Sequence, residues 1–136
     1  MNGEFEISYG FPLPDILIAL ESPSVTSVIA AYYLLTPEQA VAICRVISTN
    51  PSIKMVDLSF NYLGPDGSIA VSKVLSESPS MTSVNMCDND IGPEASLEVA
   101  RNLMALPSIT CVNLKYNEIG SEGSVAVAAI IASNPR

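Results

Sequence analysis

From Met55 to Leu75 the pattern of apolar positions changes period. Val56 and Leu58 are apolar and Asp57 and Ser59 polar, a period of two that predicts a short strand with one face inward. Beyond Asn61 and Gly64 the positions that repeat are Ser68, Val71, Ser72 and Leu75, spaced as one stripe of an amphipathic helix. The same order of strand, bend and helix returns 28 residues later and again after 28 more. Cutting at Ser24 divides the chain without gaps into units 24–51, 52–79, 80–107 and 108–135. Each unit begins with Ser and ends with Pro (Pro51, Pro79, Pro107, Pro135), and Pro23 closes whatever precedes them. One strand and one helix cannot bury their apolar faces alone, so a fixed period of this length predicts a stack of units.

The columns of the repeat carry the physical detail. Val28, Val56, Val84 and Val112 share one inward strand position, and Ala30, Leu58, Met86 and Leu114 the next. Asn61, Asn89 and Asn117 follow the strands, where a side-chain amide bonds the backbone groups freed by a buried bend. Leu35, Leu63, Ile91 and Ile119 are expected beneath that bend. Gly64, Gly92 and Gly120 end the loop, with Thr36 in their column. Pro37, Pro65 and Pro93 suit the first helical position, and Glu38, Asp66, Glu94 and Glu122 the positive end of the helix dipole. Thr36 to Gln39 fits a capping box. Arg45, Lys73 and Arg101 share an outward column expected near the helix C-termini. In unit four the stripe is Ser124, Val127, Ala128 and Ile131, again alternating large and small side chains as close helix-to-strand packing needs.

These residues resemble the ribonuclease-inhibitor-like class of leucine-rich repeats, whose units have about 28 residues and a full helix on the convex side. The resemblance covers 24–135 and is carried by the strand, Asn and Gly columns of units two to four. Unit one departs from it, with Tyr33 in the Asn column and Thr36 in the Gly column. The fold implied is an α/β solenoid, a horseshoe segment with parallel strands on its concave face and α-helices on its convex face. Families sharing the repeat include ribonuclease inhibitor, the Ran GTPase-activating protein, tropomodulin-like actin cappers and innate immune receptors. The resemblance therefore implies binding of another protein, without selecting which.

Residues 1–23 read as an N-terminal cap, with a short helix near 15–22 and an edge strand near 5–8. No polar capping unit follows unit four, so Val112, Leu114, Ile119 and Ile131 are expected at an open face. That face predicts a longer solenoid or stacking on a copy or a neighbour, the alternative being an exposure that the final helix partly shields.

Between the inward strand positions lie those that face the concave side. Met55 belongs to the first such row, and Asp57, Asn85 and Asn113 to the second, a polar row able to accept hydrogen bonds or simply to be solvated. Lys115 belongs to the third, and Tyr32, Phe60, Asp88 and Tyr116 form a last row at the rim. Three aromatics in that rim row make it the candidate contact surface, since interfaces are enriched in aromatics. Packing upon one another is the alternative. Four strands about 4.8 Å apart and about 13 Å high give a face of roughly 200 Å². A stable interface takes about 800 Å² from each partner, so rims, loops or ends must contribute.

Composition narrows the function. The chain has 136 residues, 49% of them hydrophobic, and a net charge of −8, which argues against nucleic acid and anionic lipid as partners. No run is long and apolar enough to span a bilayer, and Met1 to Gly10 has neither the basic nor the apolar region of a secretory signal. Cys44, Cys87 and Cys111 match no zinc spacing and read as reduced thiols of a cytoplasmic protein. The chain lacks His, which removes the usual catalytic triads and most metal sites. The acidic stretch 88–99 lacks the Gly and Glu that a calcium loop needs. The expectation is a non-catalytic protein-binding scaffold without cofactor or metal. Regulation of an enzyme such as a small GTPase is the alternative.

Overall fold

The computed structural model describes residues 3–7, 10–31 and 34–132, apart from the side chain of Ile131. Ten elements alternate along it: β1 (Glu4–Glu6), α1 (Leu13–Ala19), β2 (Ser27–Ile29), α2 (Pro37–Thr49), β3 (Met55–Asp57), α3 (Gly64–Leu75), β4 (Ser83–Asn85), α4 (Pro93–Met104), β5 (Cys111–Asn113) and α5 (Gly120–Ala132). The strands form one parallel sheet in chain order, and each helix from α2 to α5 packs on its sequence neighbour. Short units that bury nothing alone stack so that neighbouring units cover their apolar stripes.

Register follows the 28-residue period. Val28, Val56 and Val84 stand in line and are almost wholly buried, with Val112 half-buried at the end of the row. Ala30, Leu58 and Met86 are fully buried one pleat on. Pairing continues past each strand: Leu58 N–H donates to Asn85 O at 2.8 Å, and Phe60 N–H to Cys87 O at 3.0 Å. Gly64 N–H reaches Asn89 O at 2.9 Å. The next unit repeats all three bonds, from Met86, Asp88 and Gly92.

The Asn column does what its chemistry requires. Asn89 is fully buried. Its Nδ2 donates to Leu58 O of the preceding unit at 2.9 Å and to Cys87 O of its own at 3.3 Å. Its Oδ1 accepts from Asn61 N at 3.2 Å and Leu63 N at 3.4 Å. Asn61 and Asn117 bond in the same way, so each amide joins two units and leaves little of its capacity unused.

The helices start as their sequences direct. Thr36 Oγ1 accepts from Gln39 N at 3.1 Å while Gln39 Oε1 accepts from Thr36 N at 3.0 Å, a complete capping box. Gly92 holds φ +82° just before Pro93, a backbone that an L side chain rarely adopts. Lys73 and Arg101 lie in the last turns of α3 and α4. Arg45 does not, because α2 runs on to Thr49. Ser68, Val71, Ser72 and Leu75 are buried on α3, which α2 and α4 both flank. Their unit-four counterparts Ser124 and Ala128 are exposed, since in the described residues only α4 flanks α5.

The N-terminal segment supplies a strand as well as a helix. β1 pairs with β2, and Ile7 N–H continues the ladder to Ile29 O at 2.8 Å. The cap helix, expected near 15–22, spans Leu13–Ala19. It starts early because Pro14 suits a first turn. Asn50 then ties its end down, donating to Leu20 O at 2.7 Å and Ser22 O at 3.0 Å.

Candidate protein-binding surface

The segments that leave β3, β4 and β5 each turn through an inward-pointing Asn, and that turn sets the surface. To aim the Asn at carbonyls of two units, the backbone on both sides of it becomes left-handed. Phe60, Asp88 and Tyr116, each just before an Asn, have φ of 61°, 54° and 60°. Leu34, Tyr62, Asp90 and Glu118, in the column just after it, have φ of 59°, 52°, 56° and 54°. Such a backbone costs an L side chain roughly 1–2 kcal/mol, and least for Asn and Asp. Asp88 and Asp90 suit it; Phe60, Tyr62, Tyr116, Leu34 and Glu118 do not. The inter-unit bonds of Phe60, Asp88, Gly64 and Gly92 keep the loops in step, so the two columns become two outward rows along one edge of the sheet. We call it the exit edge.

Leu34, Tyr62 and Tyr116 are 62%, 69% and 76% exposed. Phe60 and Asp88 are half-buried, and Asp90 and Glu118 exposed. Of the expected rim row, Phe60, Asp88 and Tyr116 stand side by side, with Asp88 between the two aromatics. Tyr32 lies outside the described residues. The second row, Leu34, Tyr62, Asp90 and Glu118, was not foreseen from the sequence. Its signal was present: two bulky apolar residues, Leu34 and Tyr62, in the column after the bend position, where small or polar residues serve the turn better.

The concave positions divide. Met55 is 43% exposed at the start of β3, at the opposite end of the strand from the exit edge. Asp57, Asn85 and Asn113 form the expected row, aligned by register. Their Oδ1 atoms already accept from the backbone N–H two residues on, at Ser59 (2.9 Å), Cys87 (3.0 Å) and Lys115 (2.9 Å). Asp57 also accepts from Ser59 Oγ at 2.6 Å. The row thus starts the turn out of each strand. Two residues past their strands, Ser59 and Cys87 are buried, whereas Lys115 at the same place after β5 is exposed. Burial raises the Cys87 thiol pKa, Asp88 and Asp57 raise it further, and Lys115 opposes them. Cys44, on the buried face of α2, is pushed up to about 12 by burial, while Cys111 is exposed on the sheet.

The loops bearing Leu34 and Tyr62 run into the starts of α2 and α3, where a groove of about 610 Å³ opens. Pro37, Val41, Leu63, Pro65 and Ala70 give it apolar walls, and Glu38 and Asp66 stand on it. Gly67 lines it where helices approach closely, since a Cβ there would come within 3.1 Å of Pro37. A smaller cavity, about 280 Å³, lies on the far side of unit four among Val112, Leu114, Ile119 and Val127. Among the described residues no three Cys, Asp or Glu side chains converge as metal ligands do, and no helix is long and apolar enough to cross a membrane.

Stacked 28-residue units, a parallel sheet in chain order and a buried Asn at the bends of units two to four define the architecture. The family model "Leucine Rich repeat" matches residues 105–128. The chain folds as a leucine-rich-repeat solenoid. The ribonuclease-inhibitor-like class fits its unit length and its full helices. The solenoid superposes on a structure of the leiomodin-1 actin-binding site 2 with TM-score 0.75 at 17% identity, covering 95% of this chain and 79% of that one. It superposes on the tropomodulin C-terminal domain of Caenorhabditis elegans with TM-score 0.74 at 15% identity, covering 91% and 78%. No curated protein matches the solenoid by sequence.

Proposed function

We propose that this solenoid is a non-catalytic protein-interaction module and that the exit edge is its principal contact surface. The observation that carries the reading is the exposure of Leu34, Tyr62 and Tyr116 on left-handed backbone. Folding alone favours Gly, Asn or Asp at such positions, and strained backbone bearing bulky apolar side chains marks sites of recognition. The sheet face does not suffice by itself. Five strands of three residues span roughly 19 by 10 Å, about a quarter of what one partner buries in a stable interface. Met55, Asp57, Asn85, Asn113 and Lys115 then serve as flanking contacts to an interface centred on Phe60, Asp88, Tyr116 and Tyr62. A GTPase-regulating role gains no support from this geometry.

The test is a paired capture experiment with purified actin, which the leiomodin-1 site is named for binding, and then with cell lysate. Wild type, a Tyr62→Ser/Tyr116→Ser variant and a helix-face control, Val125→Ser, serve as baits. Proteins kept by wild type and control but lost by the edge variant support the reading. Equal capture by all three baits overturns it.

A further inference from the structure

The two rows of the exit edge change character along the solenoid. Units one and two present Leu34, Phe60 and Tyr62; units three and four present Asp88, Asp90 and Glu118, with Tyr116 beside them. None of these three carboxylates is in a salt bridge among the described residues. Nor do they serve a helix dipole, as Glu38, Asp66, Glu94 and Glu122 do in first turns. Lys115 is the one cation on this edge among the described residues. Lys54 precedes β3 at the opposite edge, and Lys73 and Arg101 lie in the last turns of helices that end there. The apolar half of the edge opens onto the groove between α2 and α3, which offers volume for a large side chain.

We infer that the exit edge takes an extended segment of a partner protein in which one large apolar side chain is followed, two or three residues on, by lysine or arginine. The apolar side chain seats between Leu34 and Tyr62, over the groove walled by Val41 and Leu63. The cations face Asp88, Asp90 and Glu118. Spacing follows from the stack: units repeat about 4.8 Å apart at the sheet and about 8–10 Å apart at the helices. An extended chain advancing about 3.3 Å per residue crosses from unit two to unit three in two or three residues. An acidic or neutral segment finds the same apolar seat but meets unneutralised carboxylates. The inference rests on the exit edge being an interface, and adds the chemistry of what it binds.

Fluorescence anisotropy tests both levels with three labelled Gly-Ser decapeptides. Each carries one Phe; the residues three and five positions later are Lys in the first, Ser in the second and Glu in the third. The Lys peptide should bind best, weaken as salt rises, and lose roughly tenfold in affinity to Asp88→Asn/Asp90→Asn/Glu118→Gln. Asn tolerates left-handed backbone, so that variant keeps the fold; far-UV circular dichroism checks it. Tyr62→Ser should weaken all binding. If the Ser or Glu peptide binds as tightly as the Lys peptide, or the neutralised variant keeps full affinity, and Tyr62→Ser still removes binding, the charge inference is overturned and the interface stands. If no peptide binds, or Tyr62→Ser changes nothing, both fall.

Discussion

The two edges of the sheet solve the same problem, locking one unit onto the next, with opposite materials. Where the chain approaches β4 and β5, small hydroxyls reach across. Thr82 Oγ1 donates to Lys54 O at 2.9 Å, Thr110 Oγ1 to Thr82 O at 3.1 Å, and Ser80 Oγ to Ile53 O at 3.0 Å. The side chains that show on that edge are thus the ones that hold it. On the exit edge the locking is internal, done by Asn61, Asn89 and Asn117. That leaves Leu34, Tyr62, Asp90 and Glu118 outward on left-handed backbone. Structure and surface chemistry coincide on one edge and separate on the other. Only the second edge is free to vary its partner without losing its fold.

Asn89→Ala should produce the largest effect. It strips the buried N–H groups of Asn61 and Leu63 and the carbonyls of Leu58 and Cys87 of a partner, and should lower stability by about 3–5 kcal/mol in urea unfolding. A loss under about 1 kcal/mol would mean the loops are held by something other than the Asn ladder. Thr82→Val removes one partly solvated bond from the approach edge and should cost about 0.5–1 kcal/mol by the same measurement, leaving peptide affinity unchanged. Reduced binding there would erase the division between the edges. Tyr62→Asn is the smallest change and has the opposite sign. It relieves left-handed strain and should stabilise by about 0.5 kcal/mol while weakening binding. A variant that binds less and also unfolds more easily would make Tyr62 structural.

Much of the fold was legible in one pass along the chain. Period two, the Asn and Gly columns and the small-large helix stripe are local constraints, and each 28-residue unit restates them. The ten-element order and parallel register follow once units must stack. The site was less legible. Phe60, Asp88 and Tyr116 were visible as a row because they share a column. Leu34, Tyr62, Asp90 and Glu118 were not, because their meaning depends on backbone handedness at positions beside the Asn. Asp57, Asn85 and Asn113 looked open, yet each turns its oxygen onto its own backbone.

The sequence by itself determined the repeat, the inward columns and the chemistry of the bends, because these obey short-range rules repeated four times over. Tertiary structure alone decided which polar atoms were already engaged. It also decided which apolar side chains were forced outward and where Gly67 leaves a groove between two helices. Those outcomes depend on the positions of neighbouring units, and no single unit encodes them.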